Sequence, residues 1–108
     1  MADSATELLI RARSLLQRGW CRDTGVVDEN GVEFHPTSDR AIAWCALGAL
    51  DAAGLPYIHH RQRGPHPAYQ RLKVAIGAER PMDFNARQER VEPVLAVFDR
   101  AIADGPSR

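Results

Sequence analysis

The stretch that decides the fold runs from Ser38 to Ala53 and reads SDRAIAWCALGALDAA. After its first turn, nearly every position is apolar or small. A helix with one apolar stripe lies on a surface, whereas a helix that is apolar all round must be covered on several sides. The stretch therefore predicts a buried central helix, capped by Thr37 or Ser38, that the other helices surround.

Two further helices are indicated by their capping residues. Ser4 and Glu7 form a capping box, which predicts a first helix from Ala5 that ends at Gly19 in the left-handed conformation that glycine adopts easily. Between this helix and the central one, residues 21–36 lose the helical period and predict a short β-hairpin or an ordered loop. A third helix is expected to begin at Pro67, because a proline at the first helical position loses no hydrogen bond.

The last helix has the clearest period, through Val91, Leu95, Phe98 and Ile102. Asn85 followed by Gln88 resembles a capping box, which would start this helix at Ala86 and place Pro93 inside it as a kink. The alternative is a helix that begins near Pro93. Pro81 is expected to prevent the third helix from resuming after Gly77.

The fold class is therefore all-α or mainly α, with four helices in a single domain over residues 1–108. The length is that of one ordinary domain, and the ends, residues 1–3 and 105–108, are expected to fray. The 14 basic and 14 acidic side chains give no overall attraction to nucleic acid or membranes. With no apolar run of membrane-spanning length and no export signal, we expect a cytoplasmic protein whose two cysteines are reduced thiols.

Cys45 is the first candidate for catalysis, in a hydrolase or transferase assisted by His35 and by Asp39 or Asn85. A cysteine nucleophile needs a stabilised thiolate and exposure. The predicted helix places Cys45 about two turns from its start, beyond the reach of the helix dipole, with alanines, Trp44 and glycine beside it. An inert thiol in the core is the favoured interpretation.

Metal and cofactor binding are not expected. Three histidines, His59, His60 and His66, could combine with Cys21 or His35. Their spacing matches no known pair of zinc ligands, so a solvated loop explains them better.

Nucleic-acid binding is a third interpretation, which a basic cluster with interleaved tyrosines suggests. Such residues bind phosphates and stack on bases, but a solvated polar helix face is the favoured explanation in a chain of zero net charge. The candidate binding residues, including the two tryptophans, are Trp20, Trp44, Tyr57, Arg61, Arg63, Tyr69, Arg71 and Lys73. Trp20 is first expected to anchor the end of the first helix against the core.

Three elements of the chain resemble a family of small bacterial and phage proteins of unknown function. They are Gly19-Trp20-Cys21, then Ala41-x-x-Trp44-Cys45-x-x-Gly48-Ala49-Leu50, and Phe84-Asn85 before the last helix. Where that family tends to read Trp-Asn-Asp, this chain reads Phe84-Asn85-Ala86. The resemblance implies a shared fold and brings no established activity.

No phosphate-binding glycine loop, nucleophile elbow or pair of catalytic carboxylates is present in the sequence. The size and the structural explanation of most apolar residues favour a non-enzymatic module that binds a protein partner in an accessory, regulatory or inhibitory role. The cysteine-dependent enzyme is the alternative, and the sequence leaves the oligomeric state open.

Overall fold

Five helices and one pair of short strands make up the part of the chain that the computed structural model describes, namely residues 4–22, 26–27, 30, 41–54, 66–77 and 79–104. The helices are α1 (Ser4–Arg18), α2 (Ala46–Ala53), α3 (Pro67–Ile76), α4 (Pro81–Ala86) and α5 (Glu92–Ala103). The strands are β1 (Val26–Val27) and β2 (Ala43–Trp44), which pair antiparallel. The prediction of a mainly helical fold is confirmed, and the frayed ends predicted at 1–3 and 105–108 lie outside the described residues.

The buried helix begins at Ala46 and not at Ser38 as predicted, because residues 41–45 are extended. The N–H of Ile42 donates to the carbonyl of Val27 (2.9 Å), and the N–H of Trp44 donates to the carbonyl of Gly19 (3.1 Å). These partners are distant in sequence, so tertiary hydrogen bonds override the local preference for helix. The strand β1 pairs with β2, and residues 23–25, 28–29 and 31–36 of the predicted hairpin or loop lie outside the described residues.

Gly19 follows α1 as predicted, but for a different physical reason. Among the described glycines, only Gly54 and Gly77 have positive φ, 133° and 105°. A Cβ atom at Gly19 would instead overlap the backbone carbonyl of Ile42. The missing side chain therefore lets the extended segment pass directly against the end of α1.

Helix α1 packs against α2, α3 and α5, and α3 packs against α1, α4 and α5. The buried residues of α1 are Ala5, Leu8, Leu9, Ala12 and Leu16. Six of the eight residues of α2 are buried, as expected for a helix that is apolar all round. On α5 the fully buried side chains are centred on Val94 and Phe98. None of the helices in these ranges combines the length and the apolarity that a membrane crossing requires.

Two expectations around the last helix are corrected. Pro81 does not block a helix but occupies the first turn of α4, where its missing N–H costs nothing. Asn85 lies inside α4 and does not cap the last helix, α5. Pro93 sits in the first turn of α5, so the alternative of a helix beginning near Pro93 is confirmed and the kink is not.

Candidate functional site

A buried asparagine joins the end of α1 to the start of α2. The side chain of Asn85 is 1% exposed. Its Oδ1 accepts from the indole Nε1 of Trp20 (2.8 Å) and from the N–H of Ala46 (3.1 Å). Its Nδ2 donates to the carbonyls of Cys21 (3.2 Å) and Arg22 (2.9 Å). We call these five residues the Asn85 hub.

The hub uses the whole hydrogen-bonding capacity of the Asn85 side chain. A carboxamide oxygen has two lone pairs and the amide nitrogen has two protons, and all four are engaged by the protein itself. An asparagine that activates or orients a substrate needs a donor or acceptor to spare. The hub therefore explains the burial of Asn85 as a requirement of the fold.

The carboxamide also extends a short parallel ladder. Trp20 and Trp44 form an isolated parallel bridge, in which the N–H of Cys21 donates to the carbonyl of Trp44 (3.1 Å). One step further along, the N–H of Ala46 and the carbonyl of Cys21 both bond to Asn85. The side chain thus supplies a rung of the ladder between the two extended segments.

Cys45 is the N-cap residue of α2, which corrects the prediction that it lies two turns inside the helix. Its Sγ accepts from the N–H of Gly48 at 3.3 Å. The residue is 8% exposed and belongs to the hydrophobic core. A helix N-terminus stabilises a thiolate, so the argument from the helix dipole now favours chemistry at Cys45, whereas its burial opposes it.

The proposed assistants of Cys45 do not form a catalytic set in the described structure. Asn85 is fully engaged in the hub. His35 and Asp39 lie outside the described residues. The described part of the chain therefore contains a cysteine at a helix N-terminus but no assembled base beside it.

Both tryptophans belong to the structural framework. Trp20 is half-buried, and its indole N–H is held by Asn85. Trp44 is buried, with the guanidinium of Arg18 6.0 Å from its ring centroid. Its Nε1 is buried and meets no acceptor among the described residues. The anchoring role expected for Trp20 therefore extends to Trp44.

The part of the basic cluster that the structure describes is largely committed to the fold. Arg71 donates from Nε and Nη2 to the carbonyl of Ala101 (3.0 and 2.7 Å) and from Nη2 to that of Ile102 (3.1 Å), which caps the end of α5. Lys73 lies 5.9 Å from the ring centroid of Tyr69. Three other candidates lie outside the described residues: Tyr57, Arg61 and Arg63.

The histidines give no metal centre in the described ranges. His66 is the N-cap of α3, and its Nδ1 accepts from the N–H of Ala68 (3.1 Å). His35, His59 and His60 lie outside those ranges. No group of three or more potential ligands comes together among the residues that were placed.

Among the residues that the structure describes, four large apolar side chains are exposed to solvent, and composition alone did not single them out. Val74 is 72% exposed, Met82 64%, Ile42 52% and Ile10 44%. Ile42 was expected to fill the core as part of the central helix, and it is exposed because its segment is extended. Val74 and Met82 lie on α3 and α4, on either side of the turn at Gly77.

Comparison with known proteins assigns a family but no activity. No curated protein and no solved structure matches the chain significantly. The model of a family of unknown function, DUF6197, matches residues 1–104, which include every residue of the Asn85 hub. The chain therefore belongs to this family of unknown function.

Proposed function

We propose that the protein is a small non-enzymatic module that binds a protein partner in an accessory, regulatory or inhibitory role. The observation that carries the proposal is the exposure of large apolar side chains on α3 and α4. Val74 and Met82 are the two most exposed of these, at 72% and 64%. Apolar area left in solvent gains free energy when a partner covers it.

A role of Asn85 and Arg71 in binding a substrate is weakened by the bonding of both side chains within the fold. Asn85 has no donor or acceptor to spare, and Arg71 is bound to the last turn of α5. Side chains that hold their own backbone in place cannot bind a substrate without releasing it. The side chains of Val74 and Met82 are mostly in solvent and do not hold the fold in this way.

The proposal includes the setting of the protein. A cytoplasmic location fits the two thiols, Cys21 and Cys45, because that compartment keeps cysteines reduced. A bacterial or phage origin fits the resemblance carried by Trp44-Cys45-x-x-Gly48-Ala49-Leu50. In this setting, the partner would be a protein made in the same cell.

Site-specific photo-crosslinking tests the binding surface. A photoreactive amino acid placed at Val74 or at Met82 should capture one defined protein in cells, whereas the same amino acid at the exposed polar position Gln17 should not.

Two charge substitutions serve as the matched test of specificity. Val74→Lys should abolish capture from position 82, and Met82→Lys should abolish capture from position 74, while both leave the melting temperature unchanged because the two side chains are exposed. Gln17→Lys adds the same charge elsewhere on the surface and should change neither. If the probes at positions 74 and 82 capture nothing and the chain elutes as a monomer, the proposal is contradicted.

A cysteine-dependent enzyme remains the second candidate because of one specific observation. Cys45 caps α2, with its Sγ 3.3 Å from the N–H of Gly48, and a helix N-terminus is a setting that activates thiols. If Cys45 is a nucleophile, iodoacetamide should alkylate it in the native protein at neutral pH. Alkylation of Cys45 only after unfolding would remove this candidate.

A further inference from the structure

We propose that Cys21 and Cys45 form a reversible disulfide, which makes the junction between α1 and α2 responsive to the thiol–disulfide balance around the protein. Both residues are thiols in the structure. The proposal rests on their backbone register and is independent of the proposed protein-binding function.

The parallel bridge between Trp20 and Trp44 places the two cysteines opposite each other. The bridge is defined by two bonds, from the N–H of Trp44 to the carbonyl of Gly19 and from the N–H of Cys21 to the carbonyl of Trp44, both 3.1 Å. In a parallel ladder the residues that follow a bridged pair face each other in turn. Cys21 and Cys45 are those residues.

The backbone at Cys45 preserves this register. Cys45 has φ −80° and ψ 176°, so the chain is still extended there before α2 begins. Neighbouring strands lie about 4.8 Å apart, and side chains of facing residues point to the same side. A disulfide requires Cα atoms about 4.4–6.8 Å apart. Forming the bond then requires the Cys45 side chain to rotate away from the N–H of Gly48, from which its Sγ accepts at 3.3 Å.

The Asn85 hub holds the pair in place. Its carboxamide bonds to the carbonyl of Cys21 and to the N–H of Ala46, the residue after Cys45. The two backbones are thus joined on both sides of the cysteine pair, by the Trp20–Trp44 bridge before it and by Asn85 after it.

The difference in exposure between the two cysteines determines which thiol reacts first. Cys21 is half-buried and Cys45 is buried. The Cys21 thiol loses its proton and attacks a low-molecular-weight disulfide such as oxidised glutathione, forming a mixed disulfide and releasing one glutathione thiolate. The Cys45 thiol then loses its proton and attacks the sulfur of Cys21, which expels the second glutathione thiolate. Two thiols of the protein are oxidised, and one glutathione disulfide is reduced to two thiols.

Mass spectrometry of the full chain tests the proposal. The folded protein is incubated with mixtures of reduced and oxidised glutathione and then blocked with N-ethylmaleimide. We expect a product that has lost two hydrogens and yields a cross-linked peptide of Cys21 and Cys45. The melting temperature of this product should be about 10 °C higher than that of the reduced protein, because the bond closes a loop of about 25 residues.

Two variants separate the two steps. Cys45→Ser should retain one glutathione at Cys21, because the resolving thiol is missing. Cys21→Ser should take up glutathione much more slowly, since Cys45 is buried. Serine is a good N-cap residue, so the fold should tolerate the first substitution.

Three outcomes would overturn the proposal. The wild-type chain could end as a stable mixed disulfide or as a covalent dimer, which would show that the two sulfurs do not meet. An intramolecular disulfide that lowers the melting temperature would show that it formed only in unfolded molecules and does not fit the native register.

Discussion

Replacing Asn85 with alanine should destabilise the protein more than any other single change in a polar side chain described above. The substitution removes four hydrogen bonds at once. The N–H of Ala46 is buried, so water cannot replace its partner, and leaving it unsatisfied costs about 1–3 kcal/mol. The partners at Trp20, Cys21 and Arg22 are partly buried, so water compensates in part and each loss costs about 0.5–1 kcal/mol.

We therefore expect Asn85→Ala to lower the free energy of unfolding by about 4 kcal/mol, a large share of the about 5–15 kcal/mol of a typical domain. Urea denaturation followed by circular dichroism measures this loss as a lower midpoint with an unchanged slope. Gln88→Ala is the matched control, because Gln88 is also a buried amide in the same region but donates one bond, to the carbonyl of Phe84 (3.0 Å).

The Gln88→Ala control should lose about 1 kcal/mol of the free energy of unfolding. If the two variants lose the same free energy of unfolding within about 1 kcal/mol, the hub is not the structural centre inferred here. A reduced slope for Asn85→Ala would instead indicate that the native state itself has become less compact, and a comparison of midpoints would no longer measure the hub.

Three other substitutions test separate contacts by thermal denaturation. Gly19→Ala should cost about 2 kcal/mol or more, because its methyl group would overlap the backbone carbonyl of Ile42, and a neutral effect would contradict that close approach. Cys45→Ala should cost about 1 kcal/mol through the lost N-cap, while Cys45→Ser should be nearly neutral, and equal losses would argue against capping. Arg71→Met should cost about 1–2 kcal/mol, because the carbonyls at the end of α5 lose a charged donor. Lys73→Met, on the same helix, should change the stability by no more than about 0.5 kcal/mol. A larger loss for Lys73→Met than for Arg71→Met would show that the cap is not formed.

The helices with local signals could be predicted from the sequence. The Ser4–Glu7 pattern at the start of α1 and the prolines at the starts of α3 and α5 act within a few residues, so a single stretch of sequence contains the information. The two glycines with positive φ, Gly54 and Gly77, end α2 and α3 for the same local reason.

The start of α2 could not be predicted in this way. Residues 41–45 are as apolar as the helix that follows, and a two-residue strand is too short to show alternation. What makes the segment extended is the pairing of Ile42 with Val27 and of Trp44 with Gly19, which are set by the folded structure. Because the start of α2 was predicted too early in the sequence, Cys45 was predicted to lie inside the helix, whereas it is the N-cap residue.

Asn85 illustrates a second limit. An asparagine before an amphipathic stretch is most simply a cap, and the sequence offered Gln88 as its companion. Its actual partners lie more than 30 positions away, at Trp20, Cys21, Arg22 and Ala46. The pattern Gly19-Trp20-Cys21 and Phe84-Asn85 in the family resemblance was the available signal, but it gave no geometry.

The position of Asn85 couples the exit of the chain from α1 to its entry into α2. The chain leaves α1 through Cys21 and Arg22 and enters α2 at Ala46, and one carboxamide bonds to both sides of that crossing. Both ends of the long connection between the two helices are thus held by a single side chain. Loss of that side chain would release the two ends together, so the exit of α1 and the start of α2 should loosen as one unit and not independently.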